Sequence, residues 1–207
     1  MAAPITLGKG RASGFTLVEV MVALLIMAIL AAMAFRGIDA LMRAKESAML
    51  STDRTLKLNT GMSQFEYDIS QVIDSKVLPQ PLMFDGATLR MARRTPDGVQ
   101  LVLWSLQDRR WQRWASGSYI HASELTDAWL RSQQWDAISA NAITVLDNVD
   151  AYQVYLCNPA QLGTSGCSWN NAGSTQGAAS GAQALAIRIG LKLAEGEITR
   201  DKELPKW

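Results

Sequence analysis

The sequence predicts an α+β chain in which a long N-terminal helix, half in a membrane and half amphipathic, packs on an antiparallel β-sheet. Three observations predict it. Residues 15–35 read FTLVEVMVALLIMAILAAMAF, apolar but for a single acidic residue. Apolar side chains then recur at three- and four-residue steps to about residue 74, the period of a helix face. Finally, Leu185, Ile187, Ile189, Leu191 and Leu193 alternate with Ala186, Arg188, Gly190 and Lys192, the period of two that marks a half-buried strand.

The first run contains neither Pro nor Gly, so it predicts one unbroken helix. Twenty-one residues at about 1.5 Å each span about 31 Å, the hydrocarbon thickness of a bilayer. A secretory signal carries a shorter apolar stretch of roughly 7–15 residues. Ahead of it, MAAPITLGKGRASG holds Lys9 and Arg11 and no acidic residue. A basic flank favours the cytoplasm and leaves the rest of the chain on the far side. The downstream flank weakens this asymmetry, because Arg36, Arg43 and Lys45 are only partly offset by Asp39 and Glu46.

Beyond residue 35 the apolar positions include Ile38, Leu41, Met42, Met49, Leu56, Met62, Phe65, Ile69, Val72 and Ile73. Asp39, Arg43, Lys45, Asp53, Arg54, Lys57, Gln64 and Asp68 fall between them. The pattern predicts one helix from about Phe15 to about Asp74, its rear half laid against a sheet. Gly37 and Gly61 are places where it can bend, and Pro79 and Pro81 end it. Val99–Leu106 and Trp111–Trp114, around the polar turn Gln107–Arg110, predict a hairpin. Trp111 and Trp114 differ in parity, so one faces inward and the other outward. Ala142–Leu146, Tyr152–Leu156 and Ile198–Arg200 predict further short strands. The Gly/Ser/Ala/Asn-rich stretch near 163–181 predicts a mobile loop. The division expected is a leader over 1–14, a transmembrane half over 15–35, an amphipathic half over 36–78 and a β-rich globular domain over 79–207.

Composition excludes several classes of function. With 20 basic and 19 acidic residues the formal charge is +1, too balanced to supply the basic field of a nucleic-acid binder. One histidine, His121, gives no ready Ser-His-Asp, Cys-His or histidine-based metal constellation. No phosphate loop or dinucleotide fingerprint appears, so neither an enzyme nor a cofactor is expected, and no small-molecule substrate. Asp147 and Asp150, or Glu195, Glu197, Asp201 and Glu203, are carboxylate clusters of the kind that bind calcium, and also of the kind that decorate turns. Seven tryptophans suit a packed core or subunit contacts, and also an aromatic platform for an exoprotein or glycan. Cys157 and Cys167 are the only cysteines; in an oxidising periplasm an even pair reads as a disulfide worth roughly 2–3 kcal/mol.

The junction Gly14-Phe15-Thr16-Leu17-Val18-Glu19 resembles the processing signal of the type IV pilin and pseudopilin superfamily, G-F-T-L-x-E ahead of an apolar helix. That resemblance implies a pilin-like fold. It also implies cleavage by a prepilin peptidase between Gly14 and Phe15, followed by methylation of the new Phe15 amine. Cut before rather than after its apolar run, the chain would keep the helix as its anchor. Glu19 would stay ionised and pair with the Phe15 amine of an adjacent subunit, offsetting the roughly 2.5–3.5 kcal/mol of an acidic group in lipid. A carboxylate snorkelling to the membrane surface is the other reading of Glu19. Ala23, Ala28, Ala31, Ala32 and Ala34 suit close helix packing, and equally suit facing lipid.

Beyond the leader, four segments are similar to J-type minor pseudopilins of the type II secretion system. They are Phe35–Leu41, Tyr67–Ile73, the hairpin Leu103–Trp114 and the closing Ile189–Arg200. The resemblance implies a place at the tip of a periplasmic fibre with I-type and K-type minor pseudopilins and the major pseudopilin as partners. The chain would lie in a bacterial inner membrane, its C-terminal domain in the periplasm. A minor subunit of a type IV pilus shares the same leader, and an enzyme or binding protein on an uncleaved anchor shares the helix.

Overall fold

The computed structural model describes residues 14–159, 166–174 and 184–206. Helix α1 runs from Leu17 to Ser70. After it come β1 (Leu82–Phe84), β2 (Thr88–Thr95), β3 (Gly98–Gln107) and β4 (Arg110–Tyr119). Then follow α2 (Ala122–Ser132), the short α3 (Trp135–Ile138) and a single 3₁₀ turn over Ser139–Asn141. The chain closes with β5 (Ile143–Leu146), β6 (Val149–Pro159), β7 (Cys167–Asn171), β8 (Ala186–Leu193) and β9 (Gly196–Glu203). A long helix followed by antiparallel sheets is the α+β layout the sequence predicts.

The chain divides into two compact units, Met1–Asp53 and Arg54–Trp207. In the first, every described residue is exposed. Its helical part is long and apolar enough to cross a membrane. Outside that span, Asp39 and Arg43 form an ion pair one turn apart, 3.2 Å, a contact of small value at an exposed site. Ile38, Leu41, Met42 and Met49, expected to lie against a sheet, are instead 56%, 71%, 64% and 60% exposed.

The second unit is built on two antiparallel sheets. One is a five-stranded meander in the order β1-β2-β3-β4-β5, the other has the order β7-β6-β8-β9. The rear of α1 supplies Met62, Phe65 and Ile69 to a core shared with both. Phe84, Leu89, Met91, Val102, Trp104 and Trp111 come from the first sheet, and Val154, Leu156, Ile187, Ile189 and Leu191 from the second. The opposite face of the first sheet buries Ala92, Leu101 and Leu103 against Leu125, Ala128 and Trp129 of α2. Both faces of β3 are therefore covered, which is why it reads as a nearly continuous apolar run. Trp111 and Trp114 do point to opposite faces, the first into the core and the second to a partly exposed margin. Trp111 is fully buried, and Trp114 packs at the margin of the α2 cluster.

Gly61 lies where α1 meets β4 and β5 of the first sheet. A Cβ added there would overlap the Val145 side chain and crowd Trp111, so only glycine lets the helix seat. About two turns later the helix places Asp68 at 0% exposure. Its carboxylate accepts hydrogen bonds from Arg93 Nη1 (2.7 Å), Arg113 Nε (2.7 Å) and Arg113 Nη2 (3.0 Å). Trp104 Nε1 (2.9 Å) and Gln64 Nε2 (3.1 Å) complete the set. Sequence reading placed Asp68 on the polar face; the structure buries it, because two guanidinium groups on the sheet neutralise it there. The helix stops at Ser70, not Asp74, because the next residues turn to pair with β2. Ile73 N–H donates to Ala92 O (3.0 Å), and Arg94 N–H to Gln71 O (2.9 Å).

Four further expectations change. Strands β1 and β2, and helix α2, arise where no element was expected. The stretch near 163–181, expected to be a loop, contains strand β7, which pairs with β6 from Tyr155↔Asn171 to Pro159↔Cys167. The remainder of that stretch, 163–165 and 175–181, lies outside the described residues. Strand β9 runs eight residues rather than three, since the whole of β8 offers it partners from Ala186↔Glu203 to Leu193↔Gly196.

On the α2 face Arg90, 3% exposed, reaches Asp85 Oδ2 (2.5 Å) and the carbonyl of Ser132 (3.2 Å). It thus ties the β1–β2 turn to the end of α2. Burial pushes the Asp85 carboxyl up, but the amides of Ala87 and Thr88 and the Arg90 guanidinium outweigh it and hold the group below its ordinary range.

Two expectations follow. Asp68→Ala leaves two largely buried guanidinium groups unpaired, and the second unit should lose about 3–5 kcal/mol. Urea titration of the detergent-solubilised chain, followed by tryptophan fluorescence, measures it. A carboxyl depressed on folding adds stability that is whole above its unfolded pKa, about 3.9, and is lost as pH falls through the folded value. Acid should therefore loosen the Asp85 turn only below about pH 4, and Asp85→Asn should flatten that part of the stability profile.

Candidate processing and assembly site

Gly14, Phe15 and Thr16 precede the helix without regular secondary structure, and all three are exposed. Phe15 is 85% exposed, so the Gly14–Phe15 bond is open to an external enzyme. A Cβ at Gly14 would meet nothing within 4 Å. No contact among the described residues therefore requires a glycine at this position. The basic residues Lys9 and Arg11 lie outside the described residues.

The helix begins as it does because Thr16-Leu17-Val18-Glu19 forms a capping box. Glu19 N–H donates to Thr16 Oγ1 (3.3 Å). In return Glu19 Oε2 accepts from the Thr16 amide (3.2 Å) and from the Thr16 hydroxyl (3.2 Å). A negative charge in the first turn is also favoured by the helix dipole. Sequence reasoning singled out Glu19 and passed over Thr16, although T-x-x-E ahead of an apolar run is itself a helix-start signal. No other side chain is hydrogen-bonded to the Glu19 carboxylate among the described residues.

The remaining sites singled out by sequence lie in the second unit. Cys157 and Cys167 are joined in a disulfide, Cα atoms 5.4 Å apart, which ties the end of β6 to the start of β7. Of the carboxylates weighed for calcium, Asp150 pairs with Arg109 (2.5 Å) and Asp201 with Arg188 (2.6 Å). Glu195 pairs with Arg54. The Arg188 hydrogen bonds hold the Asp201 carboxyl below its ordinary range. No cluster of three or more His, Cys, Asp or Glu suited to a metal occurs among the described residues. Trp104, Trp111 and Trp129 are buried. Trp169 lies beneath the Arg188 guanidinium, 4.4 Å from its ring centre, and Trp207 lies outside the described residues.

If the glycine serves only the enzyme, Gly14→Val should leave the thermal unfolding of the chain unchanged while uncut precursor accumulates. Gel mobility and circular dichroism on the same preparation check both halves.

Residues 9–35 match the family model of the prokaryotic N-terminal methylation motif. No curated protein matches the chain. The motif and the apolar helix behind it together support a single-pass, membrane-anchored protein of the type IV pilin-like kind, a pseudopilin or pilus subunit.

Proposed function

We propose that the chain is a minor pseudopilin of the type II secretion system, of the J type. It sits at the tip of the periplasmic fibre, where it primes assembly and helps drive folded proteins through the outer-membrane secretin. The observation that carries the reading is the start of α1. A capped helix, apolar at its start and exposed through Asp53, begins two residues after an open Gly14–Phe15 bond, and this stretch matches the methylation motif. Prepilin peptidase would cut that bond and methylate Phe15. The new Phe15 ammonium of a neighbouring subunit would then meet Glu19 in lipid, where an ion pair is screened little and an unpaired carboxylate costs several kcal/mol.

Support for the J type comes from the resemblance of segments that fold into defined elements. Leu103–Trp114 spans the β3–β4 hairpin and Ile189–Arg200 the β8–β9 hairpin. Tyr67–Ile73 carries Asp68, the carboxylate that seats the helix. The partners proposed on this basis are the I-type and K-type minor pseudopilins and the major pseudopilin, with the second unit in the periplasm.

Glu19→Gln should be cleaved and inserted normally yet recovered at a fraction of the wild-type level in assembled fibres. The wild-type processed chain should begin with N-methylphenylalanine on mass spectrometry. Normal fibre incorporation of the Gln variant sinks the charge-pairing reading. Co-purification with I- and K-type subunits supports the type II assignment, whereas recovery with the subunits of a surface pilus would replace it by a minor pilin.

A further inference from the structure

We propose that the cleft beyond the end of α1 binds an acidic segment of a partner protein, its carboxylates held by Arg94 and Lys206. The proposal is independent of the role given to the N-terminus. The cleft has a volume of about 300 Å³ and lies wholly within the second unit. Three cations line it from separate parts of the chain: Lys76 from the loop after α1, Arg94 from β2 and Lys206 from the tail behind β9. Asp74 is the carboxylate among its lining residues.

Asp74 is already satisfied. Lys76 takes both of its oxygens: the backbone amide donates to Oδ1 (2.9 Å) and the ammonium group to Oδ2 (2.7 Å). The same ammonium and amide hold the Asp74 carboxyl below its ordinary range. Lys76 adopts a left-handed backbone at this turn, φ 60°, a conformation disfavoured for any residue with a Cβ. Arg94 and Lys206 remain. Both are exposed, and neither side chain meets a carboxylate or another hydrogen-bond partner among the described residues. That sets Arg94 apart from Arg90, Arg93, Arg113 and Arg188, each of which is paired with an aspartate. Its place is fixed all the same, because its amide donates to the Gln71 carbonyl (2.9 Å). A helix C-terminus favours a cation nearby, which does not account for three converging on one cleft.

The chemistry specifies the occupant. A guanidinium group takes a carboxylate through two parallel hydrogen bonds, and the Lys206 ammonium offers a second charge to a second acid. Ile73 and Pro205 set apolar surface between the polar groups, which suits the stem of a peptide side chain. A small acid held between two exposed cations would stay largely in water, whereas small-molecule sites bury most of their ligand. The occupant is therefore a short acidic run on a protein.

Calorimetric titration of the full-length, detergent-solubilised chain with capped tetraglutamate, capped tetraglutamine and inorganic phosphate tests this. Tetraglutamate should bind at low salt and weaken as salt screens the charges, and tetraglutamine should not bind. Arg94→Gln should lose affinity at least about tenfold, the size of one hydrogen bond to a charged group. Arg131→Gln, which alters an exposed arginine of α2 outside the cleft, should lose none. Asp74→Asn keeps an oxygen for the Lys76 amide but frees its ammonium group, and should tighten binding severalfold. Failure of tetraglutamate to bind, wild-type affinity in Arg94→Gln, or weaker binding by Asp74→Asn overturns the proposal. Phosphate bound as tightly as tetraglutamate makes the cleft a small-anion site and overturns the protein partner.

Discussion

The carboxylate of Asp68 is the fixed point of the second unit, and its position is costly twice over. It sits fully out of water, and it sits at the C-terminal end of a helix, where the dipole opposes a negative charge. Five hydrogen bonds from Gln64, Arg93, Arg113 and Trp104 offset that cost. Four of the five come from the first sheet, on β2, β3 and β4, so the acceptor is satisfied in one register only. A helix slipped by one turn would bury a bare carboxylate and leave two guanidinium groups facing it unpaired. Apolar packing of Phe65 and Ile69 supplies most of the attraction, being non-directional. Asp68 and the Gly61 notch against Val145 supply the address.

That division of labour explains what sequence pattern conveyed and what it withheld. Strand β8 was legible because one of its faces meets only apolar neighbours, so its alternation is strict. The β3–β4 hairpin was legible from its strand formers and the short polar turn between them. Asp68 was misplaced because composition ranks an aspartate as solvent-facing. Its spacing, three after Phe65 and one before Ile69, had already put it on the buried stripe. Helix α2 carried the same kind of signal in Leu125, Ala128, Trp129 and Ser132, weakened by the three charged residues Glu124, Asp127 and Arg131. Strand β2 was hidden by Arg90, Arg93 and Arg94, all polar by type, two of which are spent on Asp85 and Asp68. Strand β7, Cys-Ser-Trp-Asn-Asn, has little propensity of its own. It is a strand because β6 offers a ladder and a disulfide holds its first residue in place.

The N-terminal signal was legible in a different way, as a short string with a chemical purpose. Gly14 and Phe15 stood out through the resemblance of their junction to a prepilin signal, and Glu19 also as the one acid in an apolar run. Thr16 did not stand out, since a threonine at a helix N-cap is ordinary, and only its two hydrogen bonds to one Glu19 oxygen show it acting on that carboxylate.

Asp68 and Glu19 are the same problem met at two ends of one helix. Each is an acid in surroundings that disfavour charge. The first is answered entirely within the chain by two arginines. For the second, among the described residues, the carboxylate is hydrogen-bonded by Thr16 alone. The apolar surface behind it is unfinished in the same sense. Lipid covers about 20 helical residues, a length used up by Phe35, yet Ile38, Leu41, Met42, Met49 and Leu50 continue exposed beyond it. Fifteen further residues of helix add about 22 Å, beyond the length the hydrocarbon of a bilayer covers. In the fibre role proposed above, neighbouring subunits would supply a cation to the carboxylate and a cover to this stretch of helix.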